Sequence, residues 1–265
     1  MSVETTELRR SVLPCLVAAH ALNARNGVEA TDLFTIGRTF SRAGHGHAGN
    51  DELSDELEVV GGLLWGPRRS RKPGADGSAT VWDAKACVER IAAEVGAGGA
   101  LRFEPVADLP EYHPRSAARV LVGGNRIGAL GMIHPDLAEV AEIPHEIAVF
   151  EVDTQKLLEY APPRSGVRQL PRYPASSRDV SLLVPDSLLA GAVIDAVGAL
   201  NEELIELVEV FDEYRGAGVG EGYRALAFQI VYRSSSATLT DDQVTDLHQR
   251  VISHLVDTLP ITLRV

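Results

Sequence analysis

The sequence predicts an α+β protein with two domains, each built mainly from antiparallel strands and flanking helices. Residues 170–265 are predicted to run strand, helix, strand, strand, helix, strand, the order of a split βαββαβ unit with both helices on one sheet face. Residues 160–166 (YAPPRSG) have the composition of a semi-rigid linker. We therefore predict domains at 1–160 and 170–265, joined by a linker at 161–169.

The first domain is predicted to mix strands and helices. Apolar periodicity predicts helices at 11–24 and 84–95 and strands at 32–40 and 58–66. A hairpin over 118–132 turns at Gly123-Gly124-Asn125. Cys15 and Cys87 lie in the predicted helices among apolar residues, so we expect buried thiols rather than a disulfide or a metal pair.

The second domain begins with a strand at 178–184, whose apolar residues alternate. A helix at 187–200 follows, with Asp186 or Ser187 able to cap it. A short strand at 207–211 and the glycine-rich residues 215–222 lead into a strand at 223–233. That strand directs Leu226, Phe228, Ile230 and Tyr232 towards the helices, and it leaves the small face of Ala225, Ala227, Gln229 and Val231 accessible.

The last helix has a clear start and end. Thr240-Asp241-Asp242-Gln243 has the spacing of a capping box, and the two aspartates lie at the positive end of the helix dipole. Pro260 ends the helix, and residues 261–265 alternate as a final strand.

Four separate runs of the second domain resemble one family in order and spacing. They are YPASSRDVS (173–181), FDEYRG (211–216), YRS (232–234) and TLTD (238–241). Together they resemble the ferredoxin-fold anticodon-binding domain of the phenylalanyl-tRNA synthetase beta chain.

The first domain resembles the same family. LRRSVLPCL (8–16) is similar to an LR-x-S-L-L-P-G-L segment, and DLFTIGRTF (32–40) to an LFEIG-R-x-F strand. WDAK (82–85) resembles a D-x-K-G turn in which Ala86 replaces glycine, and 112–114, 116–117 and 131–135 resemble later landmarks. The resemblance covers nearly the whole chain but only the last third of a beta chain, so we expect a fragment in which Met1 is an internal or engineered start.

The resemblance implies a degenerate class II synthetase-like core domain followed by a ferredoxin-like domain. In this family the alpha subunit performs aminoacylation, and the assembled α2β2 ligase uses ATP and Mg²⁺. The implied role of this piece is to bind the anticodon stem-loop of tRNA(Phe) and to dock the alpha subunit. We expect no catalytic residue, metal or cofactor of its own, and no aminoacylation by the fragment alone.

The charge balance limits how RNA could be bound. The chain carries a net charge of −12, and from Arg168 onward it has eight arginines, no lysine and fourteen acidic residues. Bulk electrostatic attraction is therefore excluded. Stacking on unpaired bases, backbone contacts and a few placed arginines remain, as single-stranded RNA permits.

The candidate contact residues combine guanidinium, aromatic and hydroxyl groups near strand ends. They are Arg172, Tyr173, Arg178, Tyr214, Arg215, Arg233, Ser234 and Ser235. Each also has a structural interpretation: Arg178 could pair with Asp179 or another acid, and the serines could form a turn.

Other patterns favour structural roles. His45, His47, Asn50 and Asp51 lie among glycines and form no convincing metal site. The basic run 68–74 is predicted to be a solvated loop, with tRNA contact as the alternative. Arg38 is predicted to be an interface or buried ion-pair residue rather than a catalytic one.

The chain has no apolar run long enough to span a membrane, and we expect a cytoplasmic protein with neither a membrane nor a DNA partner. Two other classes stay open. Split βαβ domains also serve as amino-acid-sensing modules, and the second domain could be purely architectural.

Overall fold

A computed structural model describes residues 7–41, 55–68, 77–161 and 170–264. The chain divides into two compact units, Met1–Ser165 and Gly166–Val265. All but the first residue of the predicted linker at 161–169 lie outside the described residues.

The elements of the first unit follow the predicted mixture of helices and strands. Its helices are α1 (Leu13–Arg25), α2 (Val81–Glu94), α3 (Pro135–Val140) and α4 (Thr154–Glu159). Its strands are β1 (Thr31–Ser41), β2 (Asp55–Trp65), β3 (Pro67–Arg68), β4 (Gly77–Ser78), β5 (Leu101–Pro105), β6 (Tyr112–Val122), β7 (Asn125–Ile133) and β8 (Ala148–Asp153).

The main sheet of this unit is antiparallel, with strand order β1-β2-β8-β7-β6-β5. One face buries Val60, Leu130 and Phe150 together with Val88 of α2, and the other buries Leu63 and Val149 together with α1. Two adjacent glycines of β2 lie where neighbouring side chains leave no room for a Cβ atom. A Cβ atom at Gly61 would overlap Val12, and one at Gly62 would overlap the ring of Phe150.

Two histidines and a tryptophan anchor α1. His20 of α1 is fully buried, and its Nε2 lies 2.8 Å from Nε2 of His145. The His145 ring stacks on Trp65 at a centroid distance of 4.1 Å. Burial lowers the pKa of both histidines, and the neighbouring His145 lowers that of His20 further. One ring therefore donates a hydrogen bond and the other accepts it, with both rings neutral.

The second unit has the predicted split βαββαβ order. Its elements are β9 (Ser176–Pro185), α5 (Ala190–Ala199), β10 (Ile205–Tyr214), β11 (Tyr223–Tyr232), α6 (Asp241–Thr258) and β12 (Thr262–Leu263). The antiparallel sheet has strand order β10-β11-β9-β12, and α5 and α6 pack on one face. The side chains predicted to face the helices, Leu226, Phe228, Ile230 and Tyr232, are all buried there. The α+β fold class is confirmed.

The start of α5 differs from the sequence prediction. The helix begins at Ala190, and its N-cap, Leu189, makes no side-chain capping hydrogen bond. Asp186 instead accepts a hydrogen bond from Arg215 at 2.6 Å, so it serves a tertiary ion pair rather than the helix end. The start of α6 is as predicted: Gln243 N–H donates to Thr240 Oγ1 at 3.3 Å, and Thr240 N–H donates to Gln243 Oε1 at 2.9 Å.

Two predictions in the first unit are also wrong in detail. Cys15 is exposed rather than buried, because it lies on the outer side of α1. Cys87 is half-buried, and burial raises the pKa of its thiol. The predicted turn at 82–85 is the first turn of α2, where the Asp83 carboxylate accepts the N–H of Thr80 at 2.7 Å.

Candidate RNA-contacting surface of the second unit

The sheet of the second unit has one face without helices, which we call the open face. In the register of β9, β10 and β11, residues opposite one another point to the same face, and Ala225 is opposite both Tyr214 and Leu183. The central strand contributes Tyr223, at its start, and then Ala225, Ala227, Gln229 and Val231 to the open face. Ala225 and Ala227 are short, so groups on the edge strands reach over them.

The most distinctive contact of the open face joins its two edges. The guanidinium carbon of Arg264, directly after β12, lies 4.7 Å from the ring centroid of Tyr214, at the end of β10. β10 and β12 are opposite edges of the sheet, so this cation–π pair spans β11 and β9. The Tyr214 hydroxyl also donates to the carbonyl of Ala217 at 3.4 Å.

The pair corrects one sequence prediction. Ala225 was expected to be accessible, yet only 3% of its surface is exposed. The methyl group lies in the row of Tyr214, where the ring and the Arg264 side chain reach over the sheet. The neighbouring Ala227, Gln229 and Val231 remain half-exposed, so the open face is covered at one end only.

Arg215, next to Tyr214, is held by two carboxylates. Its Nη1 donates to Asp186 at 2.6 Å and its Nε donates to Glu213 at 2.8 Å. These hydrogen bonds raise the pKa of the Arg215 guanidinium above its ordinary value. The guanidinium therefore ties the β10–β11 connection to the end of β9.

The remaining candidate residues lie at the opposite end of the sheet, where β9 begins and β11 ends. Arg178 pairs with Asp241 at the start of α6, and Arg233 pairs with Glu206 at 2.7 Å. Arg233 also donates to the backbone carbonyl of Tyr173 at 2.7 Å. Arg178 therefore has the acidic partner that its structural interpretation requires, in α6 rather than at Asp179.

The serines after β11 also form a turn. Ser234 is buried, and its hydroxyl accepts the backbone N–H of Ser236 at 3.1 Å. Ser235 and Arg172 are exposed. The structure thus divides the eight predicted residues between two sites: Tyr214 and Arg215 lie at one end of the sheet, and the other six lie at the opposite end.

Ion pairing decides which arginines are available to a ligand. Within residues 170–264, Arg178, Arg215, Arg224, Arg233 and Arg250 each have a carboxylate partner. Arg172 and Arg264 have none among the described residues of the unit. The sequence analysis did not identify Arg264, because its partner Tyr214 lies fifty residues earlier, on the opposite edge of the sheet. The one signal in the sequence was the position of Arg264 in the predicted final strand.

The centre of the open face is acidic. Asp179, Glu209 and Asp212 project from it, and Gln229 donates to Asp179 at 3.2 Å. Beneath the sheet, the Tyr232 hydroxyl lies 2.8 Å from Nδ1 of His248. Burial raises the pKa of Tyr232 to about 12 and lowers the pKa of His248, so tyrosine and histidine are both neutral at pH 7. Because Tyr232 and His248 add no charge, the carboxylates of Asp179, Glu209 and Asp212 set the charge at the centre of the open face, and they repel a phosphate there.

The first unit shows structural pairs at the positions considered for chemistry. Arg38 forms an exposed ion pair with Glu56 at 2.9 Å rather than a buried one, and Arg68 pairs with Asp32. His134 caps α3 by accepting the N–H of Asp136 at 3.2 Å. His45 and His47, and all of the basic run after Arg68, lie outside the described residues.

Among residues 7–41, 55–68, 77–161 and 170–264, no three histidine, cysteine or acidic side chains come together as a metal site. Within the same residues, each helix is too short or too polar to cross a lipid bilayer.

A split βαββαβ sheet with an uncovered face, joined to a six-stranded antiparallel unit, defines an α+β protein with a ferredoxin-fold module. Residues 171–264 match the family model described as a ferredoxin-fold anticodon binding domain. Residues 1–154 match the phenylalanyl tRNA synthetase beta chain CLM domain. The chain belongs to the phenylalanyl-tRNA synthetase beta chain family.

Curated relatives agree over nearly the whole chain. The phenylalanine–tRNA ligase beta subunit of Trichormus variabilis is 31% identical over 99% of this chain, and that of Thermosynechococcus vestitus is 35% identical over 98%. The chain spans 32% of the length of each relative. A pyrrolysyl-tRNA synthetase structure from Desulfitobacterium hafniense is a distant match, with 15% identity, a TM-score of 0.41, and coverage of 57% of this chain and 48% of that one.

Proposed function

We propose that residues 170–265 bind the anticodon stem-loop of tRNA(Phe) through the open face. The observation that carries this proposal is the Tyr214–Arg264 pair, which combines an aromatic ring with an arginine that has no carboxylate partner among the described residues. Unpaired bases stack on aromatic rings and on guanidinium planes, whereas a paired duplex offers them no free face. Family membership supports the choice of tRNA(Phe).

The charge pattern supports a loop of single-stranded RNA over a duplex. The acidic side chains Asp179, Glu209 and Asp212 exclude phosphates from the centre of the face, so the RNA backbone has to pass outside it. Arg172, Tyr173 and Ser235 at the other end of the sheet offer exposed or half-exposed groups for that backbone. Of the eight predicted residues, we retain Tyr214, Arg172, Tyr173 and Ser235 as direct contacts. We assign Arg178, Arg215, Arg233 and Ser234 to positioning.

The first unit is proposed to dock the catalytic alpha subunit in a cytoplasmic α2β2 ligase that uses ATP and Mg²⁺. An apolar groove of about 940 Å³ between α1 and α3 supports this role. Leu137 and Val140 line it and are 41% and 83% exposed. No catalytic residue is proposed for this chain. We also propose the domain boundaries predicted above, 1–160 and 170–265.

Fluorescence anisotropy with labelled anticodon hairpins tests the RNA proposal on the full chain. We expect saturable binding of the tRNA(Phe) hairpin and weaker binding of a hairpin with a changed anticodon. Because bulk attraction is excluded, the affinity should depend only weakly on salt concentration. Equal affinity for both hairpins would contradict the proposal. Calorimetric binding of free phenylalanine, with no effect of the hairpin, would favour the amino-acid-sensing alternative.

A further inference from the structure

Tyr223, the first residue of β11, is a second exposed aromatic residue on the open face. Residues two apart in a strand project from the same side, so Tyr223 shares the face of Ala225 and Ala227. It is 48% exposed, more than Tyr214 at 39%. On β9 it lies opposite Pro185. Tyr223 was not among the residues predicted from the sequence to contact RNA.

Tyr223 and Tyr214 lie at the same end of the sheet. Tyr214 is the last residue of β10 and is opposite Ala225, and Tyr223 precedes Ala225 by two residues. Diagonal neighbours of this kind in an antiparallel pair are about 7–8 Å apart, a distance within reach of aromatic side chains. The open face therefore carries two neighbouring aromatic rings at the end away from its acidic centre.

The connection between β10 and β11 fixes where Tyr223 begins its strand. The N–H of Tyr223 donates to the carbonyl of Gly220 at 3.1 Å, and the N–H of Asp186 donates to the carbonyl of Gly222 at 2.9 Å. Gly222 has a φ of +79°, a conformation that glycine adopts at no steric cost. The start of β11 is therefore held against the end of β9 before any RNA is bound.

The two rings present separate surfaces for stacking. The Tyr214 hydroxyl points into the connection, where it contacts the carbonyl of Ala217 and where a Cβ atom at Gly216 would lie 2.6 Å from it. Tyr223 leaves the same connection, so it lies towards the hydroxyl edge of the Tyr214 ring and not over a ring face. No described residue hydrogen-bonds to the Tyr223 hydroxyl or stacks on its ring.

Charge at this end of the face also differs from charge at the centre. Asp186 and Glu213 are both paired with Arg215, at 2.6 Å and 2.8 Å. Arg264, which contacts the Tyr214 ring, has no carboxylate partner among residues 170–264. A phosphate between two bases is therefore tolerated near the two tyrosines, whereas the unpaired carboxylates of the centre repel it.

We infer that Tyr223 stacks a second unpaired base, adjacent in the RNA to the base that stacks on Tyr214. This inference rests on the proposed binding of the anticodon loop by the open face. Proteins that bind single-stranded RNA stack successive bases on neighbouring aromatic side chains, because every base has a π-face. The ligand of this end of the sheet is therefore a step of two consecutive bases that are both unpaired.

Two substitutions at position 223 separate the ring from the strand. Tyr223→Ile keeps a strand-forming side chain and removes the ring, and Tyr223→Phe keeps the ring. With the tRNA(Phe) anticodon hairpin, fluorescence anisotropy should show a Kd about tenfold higher for Tyr223→Ile and unchanged for Tyr223→Phe. Val256→Ala is the matched control, because Val256 is 41% exposed on α6, on the other side of the sheet. Circular dichroism checks that each variant is folded.

A fluorescent base then tests which position each ring contacts. Hairpins carry 2-aminopurine, whose emission falls when it stacks, at one loop position at a time. The parent chain should quench two adjacent positions. Tyr214→Ala should restore the emission at one of them, and Tyr223→Ile should restore it at its neighbour.

The outcomes separate this inference from the proposed function. A parent chain that does not bind the hairpin contradicts the RNA proposal, and the inference fails with it. Equal binding by the parent chain and Tyr223→Ile contradicts the inference alone. The inference is also wrong if Tyr223→Phe binds as weakly as Tyr223→Ile, or if the variants at 214 and 223 restore emission at the same position or at positions that are not adjacent.

Discussion

Arg264 and Tyr214 meet across the width of a four-stranded sheet, with the guanidinium carbon 4.7 Å from the ring centroid. The arginine covers one face of the ring before any ligand is bound. A base that stacks on Tyr214 must either displace the guanidinium or insert beside it. The pair therefore provides both a stacking surface and a positive charge within one site on an otherwise acidic face.

Removing either partner should weaken hairpin binding. Base stacking contributes about 1–3 kcal/mol per base, so Tyr214→Ala should raise the Kd of the tRNA(Phe) hairpin by about tenfold. Arg264→Ala should have an effect of similar size. Fluorescence anisotropy measures both variants. Arg250→Ala is the matched control and should bind like the parent chain. Arg250 lies on α6 and is paired with Glu202.

Arg233 should contribute to stability more than to RNA contact. Its side chain is 26% exposed and joins Glu206 to the Tyr173 carbonyl. Arg233→Ala should lower the free energy of unfolding of the second unit by about 1–2 kcal/mol, because it leaves both acceptors unpaired. Urea unfolding monitored by circular dichroism measures the change. A loss no larger than that of Arg250→Ala would show that the bridge has no structural role.

The assignment of Tyr214 and Arg264 to RNA contact, and of Arg178 and Arg233 to positioning, also leads to a prediction for an assembled ligase. In an enzyme reconstituted with an alpha subunit, Tyr214→Ala and Arg264→Ala should raise the KM for tRNA(Phe) and leave ATP–pyrophosphate exchange intact. Arg178→Ala together with Arg233→Ala should affect tRNA charging through loss of folded protein. Equal loss in both assays after Tyr214→Ala would indicate misfolding instead of a lost contact.

The His20–His145 pair should make the first unit sensitive to acid. Both histidines have a pKa below the ordinary value of 6.5 in the folded state, so the unfolded chain binds protons first as the pH falls. The free energy of unfolding should be constant above about pH 7 and should decrease below pH 6.5. Urea midpoints between pH 5 and pH 8 measure this. His145→Gln should flatten the dependence; an unchanged profile would place the titration elsewhere.

The capping box of α6 gives a prediction about helix stability. Thr240→Ala removes the acceptor for the N–H of Gln243 and should cost about 1 kcal/mol. Thr240→Ser keeps the hydroxyl and should restore most of that loss. Thermal unfolding of both variants measures the difference. Equal melting temperatures for Ala and the parent chain would show that the helix start is satisfied in another way.

The sequence predicted what depends on local periodicity. The alternation in β9 and β11 and the Thr240–Gln243 spacing are local signals, and the corresponding elements lie where they were expected. The start of α5 was placed too early because Asp186 looks like a cap in sequence, while a distant arginine binds it in the fold. A local pattern does not show which of two possible partners an acidic side chain takes.

The site was harder to predict than the fold for the same reason. Tyr214 stood out because an aromatic residue at a strand end is recognisable in sequence. Arg264 did not, because its role depends on small residues in β11 that let two edges meet. Four candidate residues make ion pairs or hydrogen bonds within the unit: Arg178, Arg215, Arg233 and Ser234. The role of the three arginines could be predicted only if the positions of their partners Asp241, Asp186 and Glu206 were known.

Gly61 and Gly62 have a consequence for how this protein tolerates random mutation. They lie in the middle of a strand, where valine or isoleucine would ordinarily be an improvement. Here any larger residue at Gly61 would push α1 outward through Val12, and one at Gly62 would dislodge Phe150. In a saturation library these two adjacent positions should therefore accept almost no substitution.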